Sequence, residues 1–368
     1  MTSMRQRSRP GLGWAYGQAL GQTGALNLLF LVLFLVAQPL ALLIIGRANY
    51  IRLTVGYDTF YDSYTFRHLN PVLLPLHIIL TLLALTAVIL LTSIQQRTLY
   101  LKPAVDREQS MPLTLNQRFA GRSLALLTSF LLIFLVNGGL TGLILASWGQ
   151  GSHFINYLPV YGQLFLACLQ LLAFSLVIFS ISGTLFDAIL TNTGIQMAWV
   201  SSVFLILAIT ERRIDPPSDL LWFLTPVAGL FTGMAWPQSP WQSLVMILFW
   251  TSLAWFFYRG RPAEYAGMRN GRLRWHRALQ PLYVLLGASS LGAFGHSLFD
   301  WQKAIFRSPA FYLGALAGAC LGQLASSAIS GAPIKKKSLG LHLISVLAGL
   351  LLMALMIWLV SMGIKPAP

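Results

Sequence analysis

Residues that commonly carry catalysis or ion transport are sparse in this chain. No two of its six histidines share metal-ligand spacing on one predicted helix, and the HExxH, GxSxG and GxxxxGK[ST] motifs do not occur. The candidates for a proton-carrying residue at membrane depth are His77, His296 and Asp187. We expect both histidines to be packed and hydrogen-bonded, and Asp187, near a predicted helix end, to lie on a solvated face. The chain is therefore predicted to be non-catalytic, with no metal site.

Small residues and neutral polar residues predict contacts between helices. Gly314, Gly318 and Gly322 recur every four residues, as do Gly138 and Gly142, and this spacing lets two helices approach closely. The pattern predicts helix packing and leaves open a subunit contact. Hydrogen bonds between helices are expected from neutral side chains in the apolar segments, which are Asn137, Gln163, Gln170 and Gln323.

Composition places these residues in a membrane protein. Hydrophobic residues make up 56% of the 368 residues, charged residues only 10%, and the mean hydropathy is +0.68. Soluble domains carry about 25% charged residues. The net charge of +15 comes from short basic clusters between apolar runs, a pattern that sets membrane topology and argues against nucleic-acid binding. The sequence predicts an all-α, polytopic transmembrane bundle in contact with lipid.

The apolar segments predict nine spans, or eight if one weak segment does not cross the membrane. A span needs about 20 apolar residues. A short, proline-broken segment over 219–237 is predicted to be re-entrant. Residues 1–25 are predicted to form a cytoplasmic N-terminal segment with an interfacial helix. The predicted spans are 26–46, 71–93, 123–147, 158–181, 186–210, 241–258, 281–299, 309–330 and 340–362.

The basic residues predict a cytoplasmic N-terminus. Most of the 25 Lys and Arg residues fall on one side of the membrane when residue 1 is placed inside the cell. That side includes a basic loop over 259–280, which separates a six-span core over 26–258 from additional spans over 281–368. Nine spans place the C-terminus outside, and eight would move the later loops to the other side.

Two predicted cytoplasmic segments are the most informative. In the first, over 104–122, a charged stretch leads to Met111-Pro112-Leu113-Thr114 and then to a short amphipathic helix, for which Thr114 is a candidate cap. Such a surface helix suits docking to a soluble partner, although an ordinary basic loop is the alternative. The second segment closes the sixth span, where Arg261 and Glu264 could pair if the chain is helical.

Together these segments resemble the permease subunits of ABC-2-type ATP-binding cassette transporters, and most closely the Ytr-type permeases, linked by name to acetoin use. VDREQSMPLT at 105–114 is similar to the family pattern VD-x-x-HSLP-[IVL]-[ST]-R, with Gln109 and Met111 as departures and with Asn116 or Gln117 near the place where an Arg is expected. SGTLFDAIL at 182–190 is similar to the turn after the family's fourth span. The family's Y-x-x-R-x-x-E-x-A-G pattern is matched by Tyr258, Arg261, Glu264, Ala266 and Gly267.

The resemblance implies a transmembrane subunit that acts with a separate ATPase. ATP and Mg would be bound by cytoplasmic ATPase partners, and a second permease, identical or homologous, would complete the transporter in a bacterial cytoplasmic (inner) membrane. The ATPase would dock on a coupling helix and drive export of an unknown substrate or mechanical work across the membrane. The residues implied in coupling are Ser110, Met111, Pro112, Leu113, Thr114 and Arg118.

Two other functions stay open on the sequence. A membrane-embedded lipid-modifying enzyme would be expected to show a His, Asp or Glu cluster at one membrane face. A secondary carrier would be expected to show internal repeats with broken helices. Neither pattern is visible in the sequence, so the permease is the leading hypothesis.

Overall fold

Every described element of the chain is a helix. A computed structural model describes residues 11–55, 71–111, 113–196, 240–261, 264, 266–268, 276–299, 308–330 and 339–363, and these contain no strand. The all-helical class is therefore confirmed for this part of the chain. The predicted segment at 219–237 and most of the basic loop lie outside it. The helices are α1 Leu12–Leu35, a π-helical turn Val36–Leu40, α2 Ala41–Val55, α3 Leu73–Gln96, a 3₁₀ turn Arg97–Leu99, α4 Lys102–Ser110, α5 Leu115–Ser147, α6 Gly151–Ile181, α7 185–196, α8 Pro240–Arg259, α9 His276–Phe299, α10 Pro309–Ser330 and α11 Leu339–Gly363.

The chain forms two compact units. The first contains Met1–Ser180 and Gly229–Ala263, and the second contains Ile181–Ala228 and Glu264–Pro368. The predicted division, with a core over 26–258, placed α7 with the preceding helices. In the structure α7 belongs to the second unit, where Gly194 lies directly against the ring of Tyr283.

Six helices among the described residues are long and apolar enough to cross a membrane. They match the predicted spans at 26–46, 71–93, 123–147, 158–181, 241–258 and 309–330, so the chain is a multi-pass membrane protein by length and composition. The predicted span at 186–210 runs beyond the described residues. α9, which covers 281–299, is not among the six, and α11 contributes a shorter apolar stretch over 340–355. A total of eight or nine spans stays a prediction.

The first helical stretch passes residue 25 without a break. α1 begins at Leu12 and packs along α5, where Ala15 meets Gly121 and the Asn27 side chain donates to Ser129 Oγ at 2.8 Å. Among the described residues, 12–25 of the predicted interfacial segment and the start of the first predicted span thus form one continuous helix. The helical geometry instead fails at Gly46, whose φ of 73° is available to glycine at little cost.

A buried polar cluster joins four helices of the first unit at the π-helical turn. Pro39 has no N–H to donate in that turn, and the neighbouring Gln38 is completely buried. Gln38 Nε2 donates to the Tyr157 hydroxyl at 3.1 Å, and Asn137 Nδ2 donates to Gln38 Oε1 at 2.8 Å. The Tyr157 hydroxyl also lies 2.8 Å from His77 Nδ1. The expectation that His77 is hydrogen-bonded is confirmed.

Replacing Gln38 with leucine is expected to destabilise the first unit by about 1–2 kcal/mol, since interhelical hydrogen bonds in membranes contribute about that much. The substitution leaves Asn137 Nδ2 with the Tyr161 hydroxyl, 3.1 Å away, as its remaining acceptor among the described residues. Thermal unfolding of the purified protein in detergent measures the loss. Asn49→Leu is the control, because the exposed Asn49 side chain bonds only to its own helix. A double-mutant cycle with Asn137→Leu that shows no coupling would contradict the cluster.

In the second unit, α9 and α10 pack with their backbones almost in contact. A Cβ atom on Gly318 would collide with the carbonyl of Gly287, and one on Gly314 would collide with that of Leu291. Gly322 faces the carbonyl of Tyr283 in the same way. The repeated glycines of α10 thus lie against a helix of their own chain. Gly138 and Gly142 of α5 face aromatic rings of α6 in the first unit.

Helix starts in the second unit carry polar caps. Ser308 Oγ accepts the N–H of Phe311 at 3.1 Å, with Pro309 in the first helical position of α10. Thr184 Oγ1 accepts the N–H of Asp187 at 3.1 Å. The expectation that Asp187 lies on a solvated face is wrong, because its side chain is 1% exposed. The first turn of α7 points this residue into the second unit rather than toward solvent.

Candidate functional site

Residues 100–122, called here the connecting segment, form the candidate docking site. α4 occupies Lys102–Ser110, and α5 begins at Leu115. The predicted coupling segment over 104–122 contains two helices joined by a turn, because Met111 and Thr114 are both extended. An extended conformation is favoured before proline, as at Met111. The separate short helix is α4, and the predicted amphipathic helix is the first part of α5.

The start of α5 is fixed by a capping box. Gln117 N donates to Thr114 Oγ1 at 3.2 Å, and Thr114 N donates to Gln117 Oε1 at 3.0 Å. The predicted role of Thr114 as a helix cap is confirmed. A cap of this kind contributes about 1 kcal/mol and sets where the chain turns from α4 into α5.

The predicted coupling residues differ in exposure. Ser110 and Thr114 are exposed, while Met111 and Arg118 are partly buried. Leu113 is 8% exposed and packs inward, so it is not available to a partner. Pro112 lies outside the described residues. The apolar side chains that the segment does present are Leu101, which is 56% exposed just before α4, and Leu115, which is 46% exposed at the first position of α5.

Arg122 anchors the connecting segment to the first unit. Its side chain is 8% exposed, and Nη2 donates to Thr98 Oγ1 at 2.7 Å and to the carboxylate of Glu108, which is 15% exposed. Nη1 makes long contacts with Gln96 Oε1 at 3.4 Å and with the Tyr258 hydroxyl at 3.5 Å. One buried guanidinium thus connects the end of α3, the last turn of α4, the first turns of α5 and the end of α8. The connecting segment therefore cannot move independently of these helices.

Arg118 holds the turn between α4 and α5. Its Nη2 donates to the carbonyl oxygens of Met111 and Leu113 at 3.2 and 3.0 Å. Further along, Trp255 Nε1 of α8 donates to Asn116 Oδ1 at 3.1 Å, and the ring of Phe119 lies 5.3 Å from that of Tyr258. These contacts fix both sides of the bend, so the exposed residues are presented on a rigid base.

Arg261 caps the C-terminal ends of two helical segments in the first unit. Its Nη1 donates to the carbonyl of Ser180 at 2.7 Å, and Nη2 donates to that of Leu99 at 3.2 Å. A guanidinium at helix C-termini satisfies free carbonyls and the helix dipole. Its carbon lies 5.3 Å from the ring centre of Tyr100, whose hydroxyl donates to the Phe179 carbonyl at 2.8 Å. Burial raises the pKa of Tyr100, so this hydroxyl stays a donor at neutral pH.

The remaining motif residues, Glu264 and Gly267, belong to the second unit. Glu264 is exposed, and its predicted pairing with Arg261 stays a prediction. Gly267 has a φ of 79°, and its N–H donates to the carbonyl of Gly183 at 2.9 Å in the second unit. This conformation is accessible to glycine and costly for other residues. The resemblance placed Tyr258, Arg261, Glu264 and Gly267 in one motif, and three of the four have structural contacts.

Among the residues that the structure describes, no three His, Cys, Asp or Glu side chains come together as a metal site. Sequence reasoning missed the Arg122–Glu108 pair, although the spacing of a carboxylate and a guanidinium across a capped turn was a visible signal. It also missed Gln38, the one glutamine beside a proline within the first predicted span.

No protein-family model, curated protein or solved structure matches the chain.

Proposed function

We propose that the chain is the non-catalytic transmembrane subunit of an ABC-2-type transporter, in which a separate cytoplasmic ATPase docks on the connecting segment. The observation that supports this proposal is the burial of Arg122 between α3, α4, α5 and α8. Force applied to α4 is carried into membrane helices by a buried ion pair rather than absorbed by a flexible loop. The motif resemblance supplies the class of partner.

The exposed surface of the connecting segment suits such a partner. Asp106, Arg107 and Ser110 of α4 are exposed, and Leu115 adds an apolar contact at the bend. A central apolar residue within a polar rim is typical of a protein interface. The substrate and the direction of transport are left open, as is mechanical work on an outer partner.

Replacing Leu115 with glutamate is expected to weaken recovery of the ATPase with the tagged chain about tenfold or more, because a docked carboxylate would lose its water. The fold should tolerate the change, since an acidic residue is favourable in the first turn of a helix. The measurement is vanadate-sensitive ATP hydrolysis that co-purifies from native membranes.

Met268→Glu is the matched control, because Met268 is also an exposed apolar residue outside the connecting segment. Equal recovery of the ATPase by wild type, Leu115→Glu and Met268→Glu would refute docking at the bend. Substitutions at Leu113 are unsuitable for this test, since its buried side chain supports the fold.

A secondary carrier is the second candidate, favoured by the buried cluster of Gln38, His77, Asn137 and Tyr157. Hydrogen-bonded polar residues around a distorted helix within a membrane are typical of transport pathways. Uptake or efflux by the purified chain in liposomes, driven by a proton gradient without ATP, would favour the carrier over the permease.

A further inference from the structure

A small cavity lies between α1 and the connecting segment in the first unit. Gln18 and Gln22 of α1 line one side, and Glu108, Arg118 and Arg122 line the other. Its volume is about 20 Å³, which is room for one water-sized atom, and it is partly open to the outside. The polar lining consists of two guanidinium groups, two amides that can each donate or accept, and one carboxylate, so the cavity suits a single oxygen atom of a larger ligand.

The charges around this cavity do not balance. Glu108 is paired with Arg122, which leaves Arg118 as a second cation. Within the described part of the chain no carboxylate lies within 4 Å of Arg118, whose bonds go to two neutral carbonyls. Its Nε is buried and has no acceptor among the described residues. An incompletely used guanidinium beside an oxygen-sized cavity indicates an anionic ligand.

The cavity lies at the predicted headgroup level of the membrane. Gln22 precedes the first predicted span by four residues and Arg118 precedes the third by five. Trp14, one residue before the lining Ala15, is 45% exposed, as is typical of aromatic residues at the membrane interface. Lys102 and Arg107 of α4 are exposed nearby in the sequence. Phosphate groups of anionic lipids are the most abundant anions at this level.

We propose that this cavity binds the phosphate of an anionic lipid headgroup. One phosphate oxygen enters the cavity toward Arg118, and the amides of Gln18 and Gln22 donate to the same group. A zwitterionic lipid is disfavoured, because Glu108 is occupied by Arg122 and offers no counter-charge to a headgroup ammonium. A lipid seated here would contact α1 and the connecting segment together, and so stabilise the bend.

The test compares lipid retention by the purified full chain in nanodiscs. Native mass spectrometry would follow phosphatidylglycerol retained from discs of phosphatidylcholine containing a minor fraction of it. We expect Arg118→Gln and Gln22→Leu each to weaken retention, with about a fivefold loss for the charge change. Arg107→Gln removes the same charge from an exposed site on α4 and should retain phosphatidylglycerol like wild type.

Three outcomes would overturn the proposal. The first is equal retention of phosphatidylglycerol and phosphatidylcholine by the wild type. The second is an equal loss in Arg107→Gln and Arg118→Gln, which would indicate general attraction to a charged surface. The third is displacement of phosphatidylglycerol by millimolar inorganic phosphate, which would identify a site for a free anion. If Arg118→Gln does not fold, the retention of phosphatidylglycerol by Gln22→Leu tests the proposal instead, because Gln22 is outside the connecting segment.

Discussion

Replacing Arg122 with methionine is expected to lower the stability of the first unit by about 3–5 kcal/mol, because the Glu108 carboxylate would remain largely buried without its partner. The measurement is thermal unfolding of the purified protein in detergent, together with proteolysis of α4. We expect α4 to become cleavable well below the unfolding temperature, since Arg122 is the contact that ties it to α3 and α8.

The pair allows a sharp control for this effect. Arg122→Met combined with Glu108→Gln removes both charges, and it should recover part of the stability that Arg122→Met alone has lost. Arg107→Met deletes an exposed arginine from α4 and should change stability by less than about 0.5 kcal/mol. If Arg122→Met and Arg107→Met proved equally stable, the buried anchor would be disproved.

Gly318→Ala is expected to destabilise the second unit by about 3 kcal/mol or more. The added methyl would meet the backbone of Gly287, which cannot turn aside as a flexible side chain can, so α9 and α10 must separate. Their separation also loosens the contacts among Val284, Leu285, Phe311 and Ala315 in the adjoining core. Unfolding temperature and exchange of amide hydrogens in α10 would report the change.

Gly340→Ala is the matched control in the same unit. A Cβ atom at Gly340 would meet nothing within 4 Å, and alanine is the better helix former. Stability should therefore be unchanged or slightly raised. The close contact between α9 and α10 thus predicts a loss of stability for Gly318→Ala and no loss for Gly340→Ala. If Gly318→Ala did not change stability, the two helices would not approach so closely.

The features that sequence reasoning predicted correctly are those that depend on nearby residues. The apolar runs predicted six helices that could cross a membrane, and the pattern around Thr114 predicted the cap of α5. The four-residue glycine repeat of α10 pointed to close packing, although only the structure identified α9 as the partner. Local composition and spacing determine all three, so no distant residue had to be known.

The features that could not be predicted depend on residues far apart in the chain. Arg122 was one basic residue in a cluster that indicated topology, and its burial requires Tyr258, 136 positions away. Leu113 was expected at a docking surface, yet it is buried in the turn between α4 and α5. Asp187 followed a predicted turn, but the packing of α7 within the second unit buries it.

The π-helical turn at Val36–Leu40 also determines which directions the side chains after it face. Such a turn holds one residue more than an α-helical turn, and each residue advances an α-helix by about 100°. The residues from Ala41 to the break at Gly46 are therefore rotated by about that angle relative to a regular continuation of α1. Loss of a single residue from this turn would restore regular winding and rotate Leu42, fully buried near the start of α2, away from its present neighbours. The extra residue thus sets the rotational register of the residues that follow the turn.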